Sequence, residues 1–131
     1  SFSKKGVIRG LHYQLPPCAQ GKLVSVMKGK VWDVAVDIRK DSKTFGQWVG
    51  VELSEENNLS FYIPPGFAHG FSVLSEEAHF FYKCTSEYSK LHERGLRFDD
   101  NDLNIDWKVS NPIISSKDEE YPGIKDIETF E

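Results

Sequence analysis

The chain has 131 residues, with 16 Lys and Arg against 20 Asp and Glu, so its formal net charge is −4. This length favours one domain with its own buried core, because chains divide into several cores only well beyond this size. Hydrophobic residues make up 39% and charged residues 27%, a balance that excludes a disordered, collagen-like or coiled-coil chain. The excess of acidic residues argues against a nucleic-acid partner, since the phosphate groups of nucleic acids attract basic proteins.

Cysteine usage and hydropathy predict where the protein resides. Cys18 and Cys84 lack CxxC spacing and are interpreted as free thiols of a reducing cytoplasm, in preference to a disulfide. Residues 1–5 are positively charged without an apolar stretch behind them, so no signal peptide is predicted. No apolar run approaches the length of a membrane span. We therefore expect a cytoplasmic protein without a membrane partner.

The first predicted elements are strands around a glycine turn. Residues 22–38 alternate apolar and polar side chains on either side of Gly29 and predict a hairpin. Its second strand has Trp32, Val34 and Val36 on one face and Asp33 and Asp37 on the other, which predicts a half-buried strand.

The two-residue alternation of apolar and polar side chains continues after residue 38. Strands are predicted at residues 48–53 and 59–63, the latter ended by Pro64 and Pro65. Residues 67–74 and 78–85 predict a second hairpin, and 116–119 a short capped helical turn. Closely spaced strands without a 3.6-residue period are typical of an antiparallel sandwich or barrel. The fold class is therefore predicted to be all-β with an irregular C-terminal tail.

Two histidine segments are candidates for chemistry. Arg9 offers a fork for carboxylate or phosphate, and His12 can carry protons near neutral pH, although an ordinary strand explains the same pattern. The Pro-Gly turn before His69 is typical of jelly rolls that bind metal. Position 14 is Gln, however, and no His-x-His pair occurs, so a metal-free pocket is favoured over a site with three or four ligands.

Taken together, these segments resemble the signature of the dTDP-4-dehydrorhamnose 3,5-epimerases. The resemblance runs from KGVIRGLHYQ at 5–14 through GKLV at 21–24, DVAVDIR at 33–39, PGFAHGF at 65–71 and YKCT at 82–85 to SSKD at 115–118. It implies a cupin-like jelly roll, a homodimer, and neither metal nor organic cofactor. The family pattern extends about fifty residues before Ser1, so residues 1–131 are expected to be a single jelly-roll domain without that segment.

The resemblance also implies roles for individual residues. His12 corresponds to the general base and Asp118 to its dyad partner, while Lys22 corresponds to the residue that holds the enolate oxygen. Tyr82 is similar to the general acid, and Tyr88 to the residue that stacks on thymine. The remaining substrate-binding positions correspond to Arg9, His69, Glu93 and Lys117. Taken singly, Lys22, Tyr82, Tyr88 and Asp118 are also explained by solvation, packing or helix capping.

The implied activity is that of an isomerase. It would invert carbons 3 and 5 of dTDP-4-dehydro-6-deoxy-D-glucose to give dTDP-4-dehydro-L-rhamnose, by proton abstraction and enolate formation, in dTDP-L-rhamnose biosynthesis for cell-surface polysaccharide. Three alternatives remain open from the sequence. They are an epimerase limited to carbon 3 or to another 4-keto sugar nucleotide, a metal-dependent cupin oxygenase, and a non-enzymatic carbohydrate-binding jelly roll.

Overall fold

The computed structural model describes residues 2–128, which form ten strands and one short helix. The elements in chain order are β1 Phe2–Lys4, β2 Val7–Gln14, β3 Lys22–Lys28, β4 Lys30–Asp37, β5 Trp48–Ser54, β6 Ser60–Ile63, β7 Phe67–Val73, β8 Glu77–Cys84, β9 Glu93–Gly95, β10 Ile113–Ile114 and α1 Ser116–Glu119. Within this part of the chain, no helix has the length and apolar character to cross a bilayer.

The strands form two sheets that pack face to face. The smaller sheet has the order β1-β8-β3-β6, and the larger has the order β10-β2-β7-β4-β5, with β9 also paired to β2. All pairs are antiparallel except β10 with β2. The predicted all-β jelly roll is confirmed, and the short helix at 116–119 is confirmed with Ser115 as its N-cap.

Both predicted hairpins are wrong, although their strands exist. Strand β3 pairs with β6 and β8 in the smaller sheet, whereas β4 pairs with β5 and β7 in the larger one. Strands β7 and β8 are divided between the sheets in the same way. The turns at Gly29 and Ser75 therefore carry the chain from one sheet to the other. Gly29 has a φ of +87° and faces the backbone of Glu77 so closely that a side chain would not fit.

Strand β4 is buried on both faces, which corrects the half-buried prediction. One apolar cluster lies between the sheets and includes Val31 and Ala35. A second cluster covers the outer face of the larger sheet, where Val34 and Val36 meet apolar side chains of the irregular tail such as Trp107. Sequence alternation alone could not predict this cover, because the tail has no regular period of its own.

Strands β2 and β7 approach each other closely beneath the residues Arg9 and His12. Gly10 has a φ of +130°, and a Cβ there would lie 2.6 Å from the Cα of Gly70. The register between the two strands shifts between Arg9 and His12. Such a bulge changes the direction of the side chains on either side of it. Glycines at both positions allow the strands to meet at this point.

Candidate active site

Two neighbouring cavities contain most of the predicted site residues. The larger, of about 500 Å³, is lined by His12, Tyr13, Gln14, Gln20, Lys22, Tyr82, Cys84, Thr85, Ser86, Glu87, Tyr88 and Glu93. The smaller, of about 190 Å³, is lined by Arg9, His12, Lys22, His69, Gly70, Phe71, Phe80 and Tyr82. His12, Lys22 and Tyr82 line both cavities. These three side chains therefore stand where the two spaces meet.

His12 is paired with Asp118 across 106 positions of the sequence. The imidazole Nε2 lies 2.8 Å from the Asp118 carboxylate Oδ1. The other carboxylate oxygen accepts a hydrogen bond of 3.2 Å from the Gly10 amide. Burial raises the pKa of Asp118, but the hydrogen bond and charge of His12 outweigh that effect, and the pKa lies below its ordinary value. An ionised Asp118 fixes the imidazole and stabilises its cationic form.

The chain beyond β10 delivers Asp118 to this position. Ile113 and Ile114 pair in parallel with Val7 and Ile8 of β2, so the following residues run alongside the segment that leads to His12. The Ser115 side chain then accepts a hydrogen bond from the Asp118 amide and starts α1. Local capping and one short strand thus place a carboxylate beside a distant histidine.

Lys22 begins β3 and faces the cavities. Burial lowers the pKa of its ammonium group, while Cys84, Asp33 and Glu93 oppose the shift. The ammonium nitrogen lies 5.9 Å from the centroid of the Tyr82 ring. A partly desolvated cation beside a phenol suits a site in which negative charge develops on a ligand oxygen.

His69 forms a second histidine–carboxylate pair, inside the sandwich. Its Nε2 lies 2.9 Å from both oxygens of Asp33, and the two residues are almost fully buried. Burial raises the pKa of Asp33 despite the opposing charges of His69 and Lys22. The imidazole stacks on Phe80, with 6.0 Å between ring centroids. The pair holds the His69 ring in one orientation at the wall of the smaller cavity.

The predicted binding residues at the rim form a polar network. Lys117 Nζ lies 2.6 Å from Glu93 Oε1, and the Tyr88 hydroxyl donates to the same oxygen at 3.4 Å. The hydrogen bond with Glu93 raises the pKa of Lys117 above its ordinary value. Arg9 lies apart from this network, on the smaller cavity, and its Nε donates to the Ser3 hydroxyl at 3.0 Å.

Gln14, two residues after His12, fixes the backbone at the rim of the larger cavity. Its amide nitrogen donates to the carbonyls of Cys18 and Glu87, and its amide oxygen accepts from the Ser89 amide. Both ends of the side chain are thus committed to backbone groups around Tyr88. Among residues 2–128, no group of three His, Cys, Asp or Glu side chains is arranged to hold a metal ion.

Three residues of this region were not predicted from the sequence. The sequence places Asp33 only on the second face of a half-buried strand, although an aspartate among the apolar residues of that strand is a usable signal. Gln14 was considered only as a missing ligand. Tyr121, whose ring lies 5.7 Å from that of His12 at an angle of 83°, has no sequence signal that distinguishes it from a surface tyrosine.

The chain resembles known proteins over almost all of its length. A family model described as dTDP-4-dehydrorhamnose 3,5-epimerase matches residues 1–126. The dTDP-4-dehydrorhamnose 3,5-epimerase of Shigella flexneri is 62% identical over 118 residues, which are 90% of this chain and 65% of that protein. The chain thus spans about two thirds of the length of this curated relative.

Solved structures give the same result. The dTDP-4-dehydrorhamnose 3,5-epimerase from Elizabethkingia anophelis superposes with a TM-score of 0.94 at 55% identity, covering 96% of this chain and 70% of that one. A dTDP-6-deoxy-D-glucose-3,5-epimerase from Legionella pneumophila, solved in complex with dTDP-4-keto-L-rhamnose, superposes with a TM-score of 0.93 at 53% identity, covering 98% and 68%.

Proposed function

We propose that this chain, which belongs to the dTDP-4-dehydrorhamnose 3,5-epimerase family, inverts carbons 3 and 5 of dTDP-4-dehydro-6-deoxy-D-glucose to give dTDP-4-dehydro-L-rhamnose. One observation carries the proposal. His12, Lys22 and Tyr82 line both cavities, and the His12 ring is held by Asp118. A base, a cation and a phenol around one space are the groups that epimerisation next to a ketone requires.

His12 removes the proton. The ketone at carbon 4 acidifies the hydrogens on carbons 3 and 5, because the resulting carbanion is delocalised as an enolate. With Nε2–H donated to Asp118, the lone pair of Nδ1 is the free basic position on the ring. The His12 side chain is 32% exposed, so a ligand in the cavity can reach it. Asp118 stabilises the imidazolium that forms.

Lys22 and Tyr82 complete the reaction. The Lys22 ammonium stabilises the negative charge that grows on the carbonyl oxygen, a contribution that is larger in the transition state than in the ground state. Inversion needs a proton donor on the opposite face of the sugar. Tyr82 supplies it from strand β8, while His12 acts from β2 in the other sheet.

The larger cavity takes the nucleotide, and the smaller one takes the sugar. Tyr88 is exposed at the rim of the larger cavity, where its ring is available to stack on thymine. Lys117 and Arg9 offer positive charge to the pyrophosphate. His69, fixed by Asp33, contacts the sugar from the wall of the smaller cavity. We place this activity in a cytoplasmic route to dTDP-L-rhamnose, which agrees with the two free thiols.

The active form that we propose is a homodimer. Leu23, Tyr62 and Phe81 are 42%, 52% and 48% exposed. They lie on one face of the smaller sheet, since Leu23 is paired with Tyr62 and with Lys83, two residues from Phe81. The opposite face of the same strands contributes Lys22 and Tyr82 to the cavities. Covering this apolar face with a second copy would remove it from water.

An exchange experiment in heavy water tests the activity. The full-length protein is incubated with dTDP-4-dehydro-6-deoxy-D-glucose and followed by NMR. We expect deuterium at carbons 3 and 5 together with a rhamno-configured product. His12→Asn should lower the exchange rate at both carbons by about 10²-fold or more, while dTDP affinity is retained.

Other outcomes of this experiment are equally informative. Label at carbon 3 alone would replace the proposal with single-site epimerisation. Binding of dTDP without label at either carbon would favour a non-enzymatic sugar-nucleotide-binding protein. Unchanged exchange in the His12 variant would exclude His12 as the base.

A further inference from the structure

Tyr121 lies against the ring of His12 and comes from the same short segment as Asp118. The ring centroids of Tyr121 and His12 are 5.7 Å apart, and the rings are nearly perpendicular at 83°. Such T-shaped contacts are favourable because the edge of one ring meets the face of the other. Residues 115–121 therefore provide both the carboxylate that binds Nε2 and an aromatic surface that packs on the imidazole.

We propose that Tyr121 is a positioning residue for His12, acting through its ring and not through its hydroxyl. The inference rests on the proposed function, in which His12 is the base. A single hydrogen bond to Asp118 fixes one atom of the imidazole but leaves the ring free to rotate about that contact. The Tyr121 ring removes this freedom and directs Nδ1 toward the cavity.

The Tyr121 ring occupies space that exists only because residue 95 is a glycine. Gly95 is the residue of β9 that pairs directly with His12 of β2. A Cβ at Gly95 would lie 2.2–2.3 Å from three atoms of the Tyr121 ring. The ring thus fills the space above Gly95 next to His12, and a substitution at position 95 must displace it.

The hydroxyl of Tyr121 contributes little to this arrangement. It is buried and makes no regular hydrogen bond among residues 2–128, and its hydrogen-bonding contact with Lys117 is the weakest influence on its pKa, since the Lys117 ammonium is bound to Glu93 at 2.6 Å. Burial raises the pKa of Tyr121, with Lys117 opposing the shift, so the phenol stays neutral near neutral pH. The ring is therefore the part of Tyr121 that supports the site.

Two substitutions at position 121 separate the ring from the hydroxyl. Tyr121→Leu should lower kcat by about tenfold to a hundredfold, because small displacements of a catalytic group are costly, and KM should change by less than about threefold. Tyr121→Phe keeps the ring and should restore kcat to within about threefold of the parent protein. A hydroxyl role would give the reverse, with Phe as damaging as Leu.

A matched glycine pair separates positioning from general instability. Gly95→Ala and Gly50→Ala each place a Cβ 2.2 Å from an aromatic ring, that of Tyr121 in the first case and that of Trp32 in the second. Trp32 does not line either cavity. Both variants should lower the melting temperature, but Gly95→Ala alone should lower kcat. Equal loss of kcat in both variants would overturn the proposal.

A readout without substrate distinguishes this inference from the proposed function. In the parent protein the Nε2–H of His12, bonded to Asp118, should give a slowly exchanging imidazole signal by NMR. Tyr121→Leu should broaden or remove that signal, and Tyr121→Phe should keep it. Persistence of the signal in the Leu variant would overturn the positioning role. Absence of deuterium exchange in the parent protein would instead overturn the proposed function.

Discussion

The two histidine–aspartate pairs of this molecule differ in how far they are exposed to solvent. The His12 side chain is 32% exposed beside Asp118, whereas that of His69 is 7% exposed beside Asp33. Proton transfer to a ligand requires access, which His12 has from both cavities. The side of the His69 ring that binds Asp33 is buried, so a ligand can contact His69 only from the smaller cavity. Burial, and not residue type, separates the proposed base from the proposed binding residue.

At the same scale, Lys22 combines a proposed function with a cost to stability. Its pKa is lowered by burial, so the unfolded chain holds that proton more tightly than the folded one. The cost is fully present at a pH below the folded pKa and disappears as pH rises toward the unfolded value. Lys22→Met should therefore raise the melting temperature at pH 7 and lower kcat about 10²-fold to 10³-fold.

The pH dependence of that gain provides the check. The difference in melting temperature between Lys22→Met and the parent protein should shrink from pH 7 to pH 10, as measured by calorimetry. Lys43→Met changes an exposed lysine and should alter neither melting temperature nor kcat appreciably. A Lys22→Met protein less stable than its parent at pH 7 would contradict the interpretation.

Among the elements, the two-residue strand β10 determines where the C-terminal tail, and with it Asp118, lies relative to β2. The Ile113 amide donates to the Gly6 carbonyl at 2.8 Å, and this contact aligns the tail with β2. Ile113→Pro removes the donor and should lower kcat at least about tenfold, because Asp118 loses its fixed position next to His12. The melting temperature should fall only slightly, since the two sheets do not depend on this bond.

Ile113→Ala is the matched control for this change. It retains the amide and removes a side chain that is 57% exposed, so kcat should remain near that of the parent protein. Enzyme kinetics and thermal melts of both variants decide the point. Normal kcat in Ile113→Pro would mean that the tail is held by α1 and its apolar contacts alone.

The elements also show what local sequence pattern can predict. The alternation in β3, β4, β7 and β8 located each strand, because the period of a strand is a local property. Pairing is not local. In a two-sheet sandwich both sheets have a core-facing side, so the same alternation fits a hairpin and a corner between sheets. The turns at Gly29 and Ser75 are compatible with a hairpin and with a connection between sheets. In the structure each of them connects the two sheets.

For the whole molecule, the proposed site depends on contacts across the sequence. The distance between His12 and Asp118 in the chain, 106 positions, hides the dyad from any local pattern. Only the resemblance to a family paired these two residues before the structure placed them together. The sequence does not pair Asp33 with His69 or Tyr121 with His12 for a related reason: the members of each pair lie on different elements. The family-like segment at 33–39 contains Asp33 but does not indicate its partner.

Association can be tested at the same scale. Phe81→Glu places a charge on the apolar face of the smaller sheet and should convert a homodimer to a monomer, because burying an unpaired carboxylate is costly. Light scattering after size-exclusion chromatography measures the mass. Leu91→Glu changes a residue that is 78% exposed outside that sheet and should leave the dimer intact. An unchanged mass for Phe81→Glu would place the interface elsewhere.

The pairing of β10 with β2 also orders events during synthesis. A ribosome makes His12 early, and residues 115–121 only after strands β1–β9 have been synthesised. The sandwich can therefore begin to assemble while the proposed base still lacks Asp118 and Tyr121. A nascent chain, or one shortened by a premature stop before residue 115, would hold a histidine with no carboxylate beside it. In the proposed mechanism, competence for proton abstraction is acquired last, so incomplete copies are expected to lack activity.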